Sequence, residues 1–338
     1  MRSLVGLAAV LATGCSYPRL SADCADPLSC PAGSSAGSSD ASCAALHLTP
    51  TKVVPSAELL IDRSGSMAND FSDMPPTGAS PVKYTAIRDA LVGMQGVVTA
   101  LASQVYFGAS LYSDDGATCP GLKTVARALN NAMSIGGLVD VNPPGGATPT
   151  PVAIDAVVAD FGFNPPPSDS PPIIVLATDG LPNACGSAST PTQSQAIAAA
   201  ANAFSHGIPL YVLSVGGVTA ATSMHFQQLA NAGAGVQPGQ PSAAYYPATS
   251  PDQLTGALGT IVNGTIKPSC DLRLTTPIDP FLAPRSTATL DGMALTYNVD
   301  WTLDSNGFGF HLVGAACTAI QASKDPQLDV AFPCSGGG

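Results

Sequence analysis

At 338 residues the chain is long enough for one substantial core and an appendage. Apolar residues make up 45% and charged residues only 10%, and the formal net charge of −11 argues against a nucleic-acid partner, which needs a basic face. Glu58 is the only glutamate; every other acid is aspartate, a residue of turns and loop ends, so the negative charge is expected at loops.

The first segment, residues 1–14, reads as a signal peptide. Arg2 precedes an apolar run over 4–11, which is too short to span a bilayer. Ala12, Thr13 and Gly14 before Cys15 resemble a bacterial lipobox. That resemblance implies cleavage before Cys15, a lipid on Cys15, and export to the outer membrane or cell surface. An ordinary secretory signal, giving a secreted or periplasmic protein, is the alternative. Nine cysteines suit this setting: with Cys15 on lipid, eight remain, enough for four bridges in an oxidising compartment. No pair has the Cys-x-x-Cys spacing of a zinc site. Residues 15–52, rich in Ser, Gly and Cys and containing Cys24 and Cys30, read as a flexible tether.

From residue 53 to 267 strand and helix patterns alternate. Continuous apolar runs at 58–61, 105–112, 173–178 and 210–215 are the pattern of strands covered on both faces. Residues 122–128 predict a short antiparallel edge strand. Ile87, Leu91, Met94, Val98 and Leu101 recur at helical spacing and predict one apolar stripe. Thr190-Pro191-Thr192-Gln193 and Ser250-Pro251-Asp252-Gln253 each combine a capping-box spacing with proline in the first turn. The alternation predicts an α/β fold with a doubly wound, mainly parallel sheet. Residues 268–338 change texture: short β-like runs at 271–275, 294–302, 308–313 and 328–332, three cysteines and the only tryptophan, Trp301, predict a small disulfide-tied β appendage. Connectivity does not follow from sequence, but one arrangement pairs Cys317 with Cys334, Cys43 with Cys270, and Cys119 with Cys185, leaving Cys24 and Cys30 in the tether.

The chemistry gathers at strand ends. The apolar run 59–61 stops at Asp62, followed by Ser64 and Ser66 at alternate positions around Gly65. A second buried strand ends at Asp179. Between them a Gly/Pro loop, 143–151, delivers Thr148 and Thr150 just before a helix. In an open parallel sheet, ligands bind beyond the carboxyl ends of the strands, so these segments converge on one edge. Oxygen-only donors suit a hard divalent cation.

Asp62-Arg-Ser64-Gly-Ser66, Thr148 in Gly146-Ala-Thr-Pro-Thr150, and Asp179 in Ala177-Thr-Asp-Gly180 together resemble the metal-ion-dependent adhesion site of von Willebrand factor A domains, the fold shared by integrin I domains. The resemblance covers residues 53–267 and leaves out the tether and the appendage. It implies that Ser64, Ser66 and Thr148 coordinate a divalent cation, Mg²⁺ with Mn²⁺ or Ca²⁺ as alternatives, while Asp62 and Asp179 act through bound water. Thr150 is the fallback for Thr148. The remaining position would take a carboxylate from a protein partner.

Enzyme readings fare poorly. A phosphatase of the haloacid dehalogenase type would need a second Asp where Ser64 stands, and Ser cannot serve as that acid near neutral pH. No Gly-x-Ser-x-Gly occurs, and His47, His206, His225 and His311 are scattered. The structural alternative is an envelope scaffold in which the metal only stabilises the domain.

Overall fold

The computed structural model describes residues 42–114, 116, 118–185 and 192–333. The expected signal peptide, Cys15, Cys24, Cys30, Cys334 and the expected cap at Thr190 lie outside these residues. The chain divides into two compact units, 53–266 and a unit built from 1–52 with 267–338.

The larger unit carries a six-stranded sheet. In chain order its elements are β1 (Ser56–Asp62), α1 (Lys83–Val92), β2 (Tyr106–Tyr112), β3 (Lys123–Ala128), α2 (Ala132–Val141), α3 (Thr150–Phe163), β4 (Pro172–Thr178), α4 (Thr192–Ser205), β5 (Leu210–Val215), α5 (Ala220–Gly233), β6 (Tyr246–Ala248) and α6 (Pro251–Thr265). The strands run in the order β3-β2-β1-β4-β5-β6, parallel except for β3, which pairs antiparallel with β2 as the sequence predicts. All seven residues of β1 are buried, because the two faces of the sheet are both covered. Leu59 and Ile61 face one layer with Ile87 and Leu91 of α1 and Leu258 and Ile261 of α6. Leu60, one residue out of phase, faces the other layer with Ile154 of α3, Ala200 of α4 and Phe226 of α5. Ala196, Ala199, Ala200 and Ala203 fall on one stripe of α4 and are all buried, which lets that helix lie close to its neighbours.

The long stripe expected from Ile87 to Leu101 is broken. α1 stops at Val92, Met94 is fully exposed, and Val97–Ala100 forms a separate helical turn. Two close approaches require this break and its glycines. A Cβ on Gly93 would sit 2.5 Å from the Asp89 carbonyl oxygen, and one on Gly96 would sit 2.4 Å from that of Leu91.

The second unit holds a four-stranded and a three-stranded antiparallel sheet. The first includes Ser42–Leu48, which pairs with Leu328–Pro333, so the stretch expected to be tether up to 52 is already a strand from Ser42. Its alternation explains this: Leu48 is buried and Leu46 packs on the same core, while Ala45 and His47 face out. The run 294–302 is two strands rather than one, Met293–Leu295 and Trp301–Leu303, in different sheets. Between them Asp300 accepts the Thr296 N–H at 2.9 Å and Asn298 takes a positive φ of 60°, which makes a turn. Trp301 stacks on Phe310 with ring centroids 4.7 Å apart. A helix, Gly314–Ala322, joins the expected β elements.

Cys270 bonds Cys317, so the expected pairs Cys43–Cys270 and Cys317–Cys334 do not form. The reason is local. Cys270 precedes the strand Asp271–Arg273, its carbonyl accepts the Leu312 N–H at 2.8 Å, and the helix beginning two residues later folds Cys317 back onto it. In the larger unit Cys119 bonds Cys185, joining the loops after β2 and β4 as expected.

Candidate metal centre

The sheet register sets the floor of the site. Asp62 pairs with Tyr112 on β2, and Thr178 of β4 with Ser214 of β5, so these residues form a row at the carboxyl edge. Asp62 is fully buried and both its oxygens are engaged: Oδ1 accepts the Ser64 N–H at 2.8 Å and Oδ2 accepts the Thr178 hydroxyl at 2.8 Å. The first contact is an Asx turn, which redirects the chain as β1 ends. Burial, and next the charge of Asp179, push the Asp62 carboxyl up to about 7. After the turn, Gly65–Ala68 makes a short 3₁₀ helix pinned by the fully buried Met67.

The Ser64 and Ser66 hydroxyl oxygens are 3.1 Å apart, and Ser66 donates to Asp179 Oδ1 at 2.9 Å. Asp62, Ser64, Ser66 and Asp179 are thus connected by hydrogen bonds. Thr148 enters through the backbone. Its loop is stitched to the first segment by Gly65 N–H to the Gly146 carbonyl (2.9 Å) and Gly145 N–H to the Arg63 carbonyl (2.7 Å). It is stitched to the third by Asn183, whose N–H donates to the Thr148 carbonyl at 2.8 Å and whose Oδ1 accepts the Thr148 N–H at 3.2 Å. Gly146 takes a φ of +82° in this loop, a conformation that favours glycine. Thr150 is buried as the first residue of α3 and its hydroxyl lies 3.0 Å from the Tyr112 hydroxyl, whereas among the described residues no hydrogen bond engages the Thr148 hydroxyl. Arg63 is buried and donates to the Pro143 carbonyl at 3.3 Å. Asp114 caps Gly116 N–H and exchanges backbone bonds with Ala147, while Asp115 lies outside the described residues.

Sequence reasoning missed Asn183 and, more consequentially, Lys83. Lys83 has a fully buried side chain; its ammonium donates to Asp179 Oδ2 at 2.6 Å and to Asp73. Burial works against the ammonium, but its bonds to Asp179 and Asp73 outweigh that and its pKa is raised. The one signal in the sequence is weak: Lys83 is the first residue of α1, where the helix dipole disfavours a cation, but this names no partner.

The donor set suits a small divalent ion. Oxygens bound at 2.0–2.1 Å on adjacent octahedral positions stand about 3 Å apart. The Ser64–Ser66 hydroxyl separation, 3.1 Å, has that spacing, and Asp179 adjoins the pair through its 2.9 Å hydrogen bond from Ser66. Among the described residues no group of three or more His, Cys, Asp and Glu forms a metal cluster, so any ion held here would rest mainly on hydroxyls and only two carboxylates.

No family model matches the chain, and no curated protein matches it. Solved structures similar to it include the pilus adhesin SpaC from Lactobacillus rhamnosus GG, at 14% identity and a TM-score of 0.48, over 85% of this chain and 40% of that one. Manganese-loaded TRAP from Plasmodium vivax is similar at 17% identity and a TM-score of 0.42, over 64% of this chain and 75% of that one. The SpRpn10 VWA domain is similar at 13% identity and a TM-score of 0.41, over 61% and 94%. The chain spans less than half the length of the adhesin. The larger unit is built on a doubly wound, mainly parallel sheet with one antiparallel edge, in which the inner strand β1 ends at Asp62.

Proposed function

We propose that this protein is an adhesion-type binding module that captures a protein partner through a divalent cation. Mg²⁺, or Mn²⁺ or Ca²⁺ in its place, would be held by the hydroxyls of Ser64, Ser66 and Thr148, with Asp62 and Asp179 acting through water. A carboxylate of the partner would complete the shell. The observation that carries this reading is the pair of Ser64 and Ser66 hydroxyls 3.1 Å apart, with Asp179 hydrogen-bonded to Ser66 at 2.9 Å, on the carboxyl edge of a buried sheet. Neutral hydroxyls leave the ion under-neutralised, so an acidic group is the natural last ligand. Residues 53–267 would form the binding domain and 268–338 an appendage. The lipobox-like stretch before Cys15 supports display on the bacterial envelope through lipid. Among the described residues no helix is long and apolar enough to cross a membrane.

The four histidines take no part in this proposed site. His47 meets Asp329, His206 meets the Asn202 carbonyl and His311 meets Asp271 and Asp304. His225 is buried on α5, and burial pulls its pKa down. Among the described residues none is hydrogen-bonded to Asp62, Ser64, Ser66, Thr148 or Asp179.

One observation favours a second reading, a scaffold that the ion merely stabilises: the hydrogen bonds from Ser64 through Ser66 and Asp179 to Lys83 already tie the loops together. Thermal melting with Mg²⁺ or chelator, alongside chelator-reversible capture of envelope proteins, separates the two. An ion at 100 times its dissociation constant adds about 2.7 kcal/mol to stability. Asp62→Ala and the milder Ser66→Ala, at an exposed residue, should both lose the melting shift and the capture. Capture that survives loss of the shift establishes the scaffold instead.

A further inference from the structure

We propose that Lys83 is a resident cation of the site, which weakens divalent-ion binding on its own and makes it depend on an anionic ligand. The inference rests on the metal-dependent reading above and adds its regulation. Lys83 is fully buried and sits directly on Asp179, on the oxygen opposite the one that Ser66 uses. Its place is built. Gly216, at a φ of +98°, passes so close that a Cβ there would lie 3.1 Å from Lys83 Cδ, and the Gly217 N–H bonds the Phe71 carbonyl at 3.0 Å to hold the loop that carries Asp73. Asp73 itself takes a positive φ of 61° and its side chain is half exposed, so it is in contact with solvent that screens it.

The charge count follows. Counted as ionised, as they would be beside a divalent ion, the buried Asp62 and Asp179 carboxylates and the buried Lys83 ammonium sum to −1, with the half-exposed Asp73 outside this buried count. A divalent ion brings it to +1, whereas without Lys83 the loaded site would be neutral. Like charges one carboxylate apart in a buried setting repel strongly. A ligand carboxylate relieves that repulsion, so ion and acidic ligand must favour each other, and by linkage to the same degree.

The test is a titration with Mn²⁺ alone, and with acetate replacing chloride at constant ionic strength, on the full chain and on Lys83→Met. In the wild type acetate should tighten Mn²⁺ binding at least about threefold, and in chloride Lys83→Met should bind Mn²⁺ about tenfold or more tighter than wild type, with less response to acetate. Equal Mn²⁺ affinity in the two proteins overturns the proposal. So does a wild-type affinity indifferent to acetate, a measurement that holds even if the Met variant does not fold. Failure of both proteins to bind Mn²⁺ is a different result: it overturns the metal-dependent reading and takes this proposal with it.

Discussion

Glu58 shows how strongly a single side chain is set by its surroundings. It lies on β1, accepts the Ser110 hydroxyl at 2.6 Å and pairs with Arg127 at 3.0 Å, yet burial outweighs both and pushes its carboxyl up to about 7. Gly108 is part of this arrangement, since a Cβ there would sit 2.4 Å from Glu58 Oε2. Because the folded-state value lies above the unfolded one, the native protein holds more protons than the unfolded chain between about pH 4.5 and 7. Stability therefore falls as pH rises through that window and levels off above it. A rise of this size corresponds to a contribution on the order of 3 kcal/mol. Denaturant titrations of Glu58→Gln across pH 4.5–7 should give a flatter stability profile than wild type; an unchanged slope would refute the assignment. At this scale the chain's script was partly legible. Asp62, Ser64 and Ser66 could be placed because three apolar residues end abruptly at a carboxylate. Lys83 could not, because its burial is made by Gly216 and Asp179, distant in sequence and brought close only by the sheet.

Among the elements, the four buried strands of the sheet interior were legible as uninterrupted apolar runs, since both faces of that sheet are covered. The break after α1 was not. Met94 continues the helical spacing in the sequence, and only the backbone approaches at Gly93 and Gly96 show why the chain turns there. The appendage misled for a related reason: short β-like runs specify neither the turn at Asn298 nor the partner of Cys270, which depend on where the strands finally pair. The loops at the site are held by backbone bonds and by Cys119–Cys185, which closes a separation of 66 residues. A loop of that size contributes about 4 kcal/mol in the chain-entropy account. Replacing both cysteines by serine should lower the free energy of unfolding by up to that amount. The substitution should also weaken Mg²⁺ binding, because Cys185 follows closely on Asp179 and Asn183. Unchanged stability and unchanged ion affinity together would show that the backbone stitching suffices.

For the molecule as a whole, the proposed function falls on the larger unit. The sheet brings β1 and β4 side by side, so two carboxylates separated by more than a hundred residues share one edge. The intervening helices deliver the Thr148 loop to the same edge. The overall fold and this convergence follow from the alternation of strand and helix, while the ammonium that shares the site does not. The central claim is that these oxygens hold a divalent ion, and crystals grown with Mn²⁺ test it most directly through anomalous diffraction. One manganese peak is expected, bonded to the hydroxyls of Ser64, Ser66 and Thr148 at about 2.2 Å, with Asp62 and Asp179 reaching it through water. An anomalous map without a peak at these hydroxyls, with the Lys83 ammonium still closed on Asp179, would contradict it.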